Sequence, residues 1–240
     1  MPAVILPGEA LRGPEVLVSG EDAHYLTNVL RLRRGDRLTL LDGDGGRYAG
    51  RIDGVERGRV RIQRGERQDA RTGEPPRAVH LVQALPKADK MDWIVRKTVE
   101  LGVASITPMI AEHSEVRATR RRERWKAIAR SAVIQSGRTR VPTVHEPEPF
   151  PLLLDRLRRP VVLFWEKSRR SLKQVIRDVA QGSGDCTLCI GPEGGFSKEE
   201  AAGARARGWL DASLGPRTLR TETAAVSALA IIQYELGDMG

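Results

Sequence analysis

The chain has 240 residues, 40% of them hydrophobic, and a formal net charge of +9 at pH 7. That length and content suit one or two domains whose apolar core needs no disulfides. No apolar run approaches the roughly 20 residues of a membrane helix, and the first residues are neither basic nor long enough for a signal peptide, so a soluble, cytoplasmic protein is expected.

Segments 37–41, 47–52 and 59–63 alternate as short strands do, and the stretch 43–46 (GDGG) reads as a hairpin turn between the first two. A small β domain is expected there. It is closed off by the polar stretch 68–76, with a glycine and two prolines, and the chain is divided between residues 72 and 73. Beyond it, apolar strands at 79–85, 105–108, 161–165 and 187–190 alternate with helical patterns, which argues for an α/β domain on a mostly parallel sheet.

The charge is uneven. Residues 117–140 hold nine basic side chains and one acid, Glu123. Within this segment Trp125, Ile128, Ala129, Ala132 and Val133 recur at helical spacing, leaving Arg121, Arg122, Lys126 and Arg130 on the polar side. An outward arginine face attracts phosphate through charge and bidentate hydrogen bonds. A merely solvated face fits the same pattern, since 33 of the 40 basic residues are arginine.

Residues 186–190 (CTLCI) form an apolar run typical of a strand buried on both faces, followed by Gly191, Gly194 and Gly195 in the stretch 191–200 (GPEGGFSKEE). Ser197 and Glu200 have capping-box spacing, so a helix begins just after Phe196. The plan repeats: a short strand at 212–214, the stretch 214–225 (LGPRTLRTETAA), and a helix from about Thr221 through Leu236. Two such loops after neighbouring strands lie side by side at one sheet edge and outline a pocket for a small anionic or zwitterionic molecule. Neither turn has the Walker or GxGxxG order, and the chain lacks GxSxG and HExxH. Cys186 and Cys189 point to opposite faces of their strand and read as buried core residues rather than a redox pair or metal site.

The two loop sequences are similar to the cofactor loops of the RsmE family, ribosomal RNA small-subunit methyltransferases that act on N3 of a uridine in 16S RNA. The stretches 90–103 (KMDWIVRKTVELGV), 106–108 (ITP) and 135–142 (QSGRTRVP), with Gly237 and Asp238, follow the family pattern in order. So do His24, the stretch 29–31 (VLR), Gly35 and Asp36 in the first domain. Nearly the whole chain is covered, and the last fifty residues are the specific part. Two positions depart: residues 1–6 carry no charge where members often begin with arginine, and Ile134 stands where a glutamate is common.

The resemblance implies a PUA-like β-barrel over residues 1–72 and a SPOUT domain over 73–240, α/β with a mostly parallel sheet and a trefoil knot. It implies S-adenosyl-L-methionine as cofactor, no metal, a homodimer, and small-subunit ribosomal RNA or the assembled 30S subunit as partner. By resemblance the cofactor pocket takes Phe164, Trp165 and Glu166 from one strand end and Ile190, Gly191, Pro192, Glu193, Gly194 and Gly195 from the first loop. Leu214, Gly215, Leu219, Arg220, Thr221 and Thr223 come from the second.

A uridine N3 lies on the Watson-Crick edge and bears a proton, so the base must be unpaired and the proton must leave. Arg220 and Glu222 are the catalytic candidates, one to stabilise charge on the flanking carbonyl oxygens and one to accept the proton. Glu222 equally suits a helix N-terminal acid, Arg220 a structural clamp, and Glu193 is a third, weaker candidate. RNA contacts are expected from His24, Arg31, Arg33 and Arg34, and from Arg121, Arg122, Arg124, Arg138 and Arg140. The residues leave open a non-catalytic RNA-binding or ribosome-assembly factor, or a methyltransferase with another RNA target.

Overall fold

In the computed structural model, which describes residues 1–68, 73–157, 160–182 and 185–240, the alternating segments of the first third pair into one sheet and the later apolar strands into another. Two compact units result, residues 1–74 with 133–141, and residues 75–132 with 142–240. The division expected between 72 and 73 falls beside residues 69–72, which lie outside the described residues.

The first unit contains β1 (Ala3–Ile5), β2 (Glu15–Val18), α1 (Gly20–His24), β3 (Arg37–Leu41), β4 (Arg47–Glu56) and β5 (Arg59–Arg67), in the sheet order β1-β3-β4-β5-β2. β1 runs parallel to β3 and the other pairs are antiparallel. The period-2 pattern works as expected: Leu38, Leu40, Ile52, Val60 and Ile62 are buried in one cluster with Leu26. The hairpin turn at 43–46 is held by Asp42, whose carboxylate accepts the N–H groups of Asp44 and Gly46 at 2.8 and 2.7 Å. Such an Asx arrangement, with Gly43 and Gly45 at φ 81° and 106°, is why two glycines are used there.

The second unit contains β6 (Val79–Ala84), α2 (Lys90–Glu100), β7 (Val103–Ile110), most of α3 (Arg122–Ser136), β8 (Thr143–Val144), β9 (Glu148–Pro149), α4 (Phe150–Arg156), β10 (Val161–Phe164), α5 (Leu172–Ala180), β11 (Cys186–Ile190), α6 (Lys198–Ala206), β12 (Leu210–Ala212) and α7 (Thr221–Leu236). Its strands run β12-β10-β11-β6-β7-β8, with β9 also on β7, and every pair is parallel. Every residue of β10 and β11 is buried, as helices covering both faces of a parallel sheet require.

The glycine loops do not follow neighbouring strands. β10 lies between β11 and β12, and Phe164 is in register with both Ile190 and Ala212. Three strands therefore end level with one another, and a third chain segment, the exit from β10, separates the two loops. Both thiols are free and buried, as expected.

Candidate active site

The crevice beyond the carboxyl ends of β10, β11 and β12 is the position where open parallel sheets hold ligands. A cavity of about 360 Å³ opens there, at the small end of the range for small-molecule sites. Its wall brings together Phe164, Trp165 and Glu166, the run Ile190, Gly191, Pro192, Glu193, Gly194 and Gly195, and Leu214, Gly215, Leu219, Arg220 and Thr221. Of the residues expected to hold a cofactor, Thr223 alone is not in the wall. It lies two positions after Thr221 on α7 and is exposed, whereas Ala224, three positions on, shares the face of Thr221 and lines the cavity. Arg217 and Thr218, inside the second loop stretch, complete the wall together with Ala212, Ser213 and Ala224, which lie outside the expected segments.

The first loop is short because it folds over its own aromatic ring. Phe196 is buried, packed 5.3 Å from Phe150, whose ring meets Trp209 edge-on at 5.8 Å. A side chain at Gly191 would come within 3.0 Å of the Phe196 ring, one at Gly194 within 2.8 Å of His113 Cβ, and Gly195 sits at φ 72°. Backbone thus faces the cavity wherever side chains would collide. His113 Nδ1 is 3.2 Å from the carbonyl oxygens of both Gly194 and Gly195. Since a carbonyl only accepts, the ring proton resides on Nδ1.

The two loops are tied at the sheet edge. Thr221 donates its hydroxyl to the Gly191 carbonyl at 2.7 Å and accepts from the buried Gln83 amide at 2.9 Å. Glu193 is part of the wall, and its carboxylate bonds to the start of α2 and the segment before it, accepting from Lys90 Nζ at 2.9 Å and from the Lys87 N–H at 3.3 Å. Burial alone would raise its carboxyl, yet the hydrogen bonds from Lys90 and from backbone hold it below the ordinary carboxylate value. Lys90 is raised in turn, chiefly by its hydrogen bond to Glu193.

The two catalytic candidates part company here. Arg220 is exposed on the cavity wall, immediately before α7, and its guanidinium has no bonded partner among the described residues. Glu222 is not in the wall: its Oε2 is buried and lies 3.6 Å from Lys90 Nζ.

The residues expected to meet RNA also divide. His24, Arg31, Arg33 and Arg34 are exposed, as is Arg140. Arg31 adopts φ 55°, and Arg34 stands 3.9 Å from Asp53. Arg138 is buried to 3% exposure, its guanidinium 2.7 Å from Glu74, whose carboxylate also takes the N–H groups of Thr139 and Arg140. It is not part of an outward face. On α3 the apolar stripe is buried through Trp125, Ala129, Ala132 and Val133, but the arginines are partnered. Arg121 binds Asp89 at 2.6 Å, Arg122 binds Glu146 at 2.7 Å and the Val144 carbonyl at 2.9 Å, and Arg124 binds Asp92 at 2.7 Å. The linear charge run meets acids from three other segments. Asp92 also accepts from the buried Trp125 indole at 3.0 Å, pinning α2 to α3.

What such a cavity can hold follows from its walls. Phe164, Ile190, Leu214 and Leu219 offer an apolar slot, while the loop backbone and the start of α7, which has no side-chain cap, offer peptide hydrogen-bonding groups. That set suits a flat heteroaromatic ring joined to a polar, charged tail. Among the described residues no cluster of side chains suits a metal ion, and no helix is long and apolar enough to cross a membrane.

The chain matches the family model described as an RNA methyltransferase domain over residues 73–233 and that of an RNA methyltransferase PUA domain over residues 18–63. It is 32% identical to ribosomal RNA small subunit methyltransferase E of Bacillus subtilis, the match covering 92% of this chain and 91% of that protein. The protein of the same name from Mycobacterium bovis is 31% identical, over 92% of this chain and 86% of its own. Among solved structures, ribosomal RNA small subunit methyltransferase E of Neisseria gonorrhoeae bound to S-adenosyl methionine superposes with a TM-score of 0.91 at 33% identity, covering 100% of both chains. A Legionella pneumophila protein solved in complex with the same cofactor gives 0.89 at 33% identity, over 98% of both chains.

Proposed function

We propose that this chain, which belongs to the family of ribosomal RNA small subunit methyltransferase E, transfers a methyl group from S-adenosyl-L-methionine to N3 of a uridine in 16S ribosomal RNA. The observation that carries this reading is the cavity at the level ends of β10, β11 and β12, glycine-lined where a side chain would collide. When bound, the cofactor supplies a methyl group already electrophilic on its sulfonium, so the protein's task is alignment and exclusion of water.

Phe164, Ile190, Leu214 and Leu219, which line the cavity, would hold the ring system of the cofactor, and the peptide groups of residues 191–195 and the start of α7 would meet its polar edges. Arg220, exposed at the wall, faces the incoming base. Its guanidinium would stabilise negative charge on the uracil carbonyl oxygens as the N3 proton passes to solvent water. Glu222, turned towards Lys90, serves loop geometry in this reading. His24, Arg31, Arg33, Arg34 and Arg140 supply exposed positive charge for the RNA backbone.

The active unit is a homodimer in this reading, working in the cytoplasm. α7 is apolar almost all round: Ala225, Leu229 and Ile232 are buried, yet Ile231 and Tyr234 are 40% and 62% exposed, and Trp93 on α2, which packs on α7, is 40% exposed. A second copy is the occupant that covers this face.

The test is incubation of the protein with methyl-labelled cofactor and either free 16S RNA or 30S subunits, followed by mass spectrometry of the nucleosides. Labelled N3-methyluridine is expected. Label in another nucleoside, or none with either substrate, overturns the assignment.

A further inference from the structure

We infer that Lys90 is a latch that sets the spacing of the two cofactor loops, holding one carboxylate from each under a single ammonium group. This rests on the cofactor reading above for its consequence, although the geometry stands without it. Glu193 belongs to the first loop and Glu222 to the first turn of α7, and Lys90 Nζ lies 2.9 Å from one and 3.6 Å from the other. Both carboxylates are more than two-thirds buried, and among the described residues the Glu222 Oε2 atom has no hydrogen-bond partner. Without the ammonium, two partly desolvated anions would face each other across the join between the loops.

The latch has a fixed base. Lys90 opens α2, and two residues later Asp92 anchors that helix to α3 through the Trp125 indole and Arg124. The ammonium is therefore presented from a rigid element, while the carboxylates arrive on the loops. Most other charged groups nearby are engaged. Lys87 pairs with Glu115 at 2.6 Å, Asp89 with Arg121, and His113 serves the Gly194 and Gly195 carbonyls. Arg220 and Arg217 belong to the cavity wall. Lys90 is a positioning residue: it does not line the cavity and does not touch the reacting atoms.

The experiment compares wild type, Lys90→Met and Lys90→Arg by hydrogen exchange without ligand and by calorimetry with S-adenosyl-L-methionine across pH 5.5 to 8. Lys90→Met is expected to speed exchange at residues 193–195 and 222–224 and to weaken cofactor binding about tenfold at pH 8. Affinity should recover as the pH falls and one of the two carboxylates takes up a proton. Lys90→Arg should restore both readouts at pH 8. Unchanged exchange in the methionine variant overturns the latch, as does a loss of affinity that stays flat with pH. A wild type that binds no cofactor overturns the cofactor reading instead, and the exchange data still decide the latch.

Discussion

The hydroxyl of Thr221 donates to the carbonyl oxygen of Gly191 at 2.7 Å, joining the first residue of α7 to the first residue after β11. The same hydroxyl oxygen accepts from the side-chain amide of Gln83, which is fully buried. Thr221→Val keeps the shape but strands a carbonyl and an amide. It should cost about 1–3 kcal/mol, read as a fall in melting temperature and a weaker calorimetric affinity for the cofactor.

Gly194→Arg separates the two tasks of the molecule. Its Cβ would sit 2.8 Å from His113 Cβ, so the loop must shift even before the longer side chain is housed. Cofactor binding and methyl transfer are expected to vanish while RNA retention in a filter assay persists. Loss of RNA binding to the same degree would argue against separate surfaces.

Salt dependence distinguishes the two arginine sets. Arg121 and Arg122 already face acids, so replacing them with alanine should leave the slope of RNA affinity against salt nearly unchanged. Replacing Arg31, Arg33 and Arg34 should flatten that slope by roughly 0.7–0.9 for each phosphate that the protein no longer neutralises. Arg124→Ala belongs to neither set. It leaves the carboxylate of the buried Asp92 with the Trp125 indole as its one side-chain partner among the described residues, and a drop in thermal stability should be its main effect.

Acid stability should report Glu193. Its lowered value means a contribution present above the ordinary 4.5 and lost as the pH falls through the folded-state value. Lys90, raised, contributes fully below its ordinary 10.5 and loses that contribution as the pH rises through its folded value. Melting temperatures of Glu193→Gln measured against pH should therefore fall less steeply than wild type on the acid side.

The thiols offer an independent check on packing. Burial pushes Cys186 up to about 11, with Asp185 adding to it, and burial raises Cys189 well above its usual value. Neither is a thiolate at pH 8, so alkylation by iodoacetamide should proceed only at the rate of unfolding.

Much of this architecture is legible in local sequence. The Ser197 and Glu200 pair forms the expected capping box, with reciprocal bonds of 3.1 and 3.0 Å, and α7 begins at Thr221 as its pattern says. Those signals act within one turn of helix. Strand order does not: nothing in residues 161–165 announces that β10 divides the two loops. Arg217 and Thr218 lie inside the second loop stretch and share its signal, whereas Ala224 needs the helical phase of Thr221. The pairing of Lys90 with Glu193, and of Arg121, Arg122 and Arg124 with Asp89, Glu146 and Asp92, brings together residues far apart in sequence. A charge count along the chain cannot see such neutralisation, which is why the basic segment reads as a larger field than its folded surroundings allow.

The way the first loop closes over Phe196 gives the cavity an optical readout. The ring it rests on, Phe150, is also the edge-on neighbour of Trp209. Any substitution at Gly191 that lifts Phe196 must disturb that aromatic stack, so the emission of Trp209 registers the packing of the first loop.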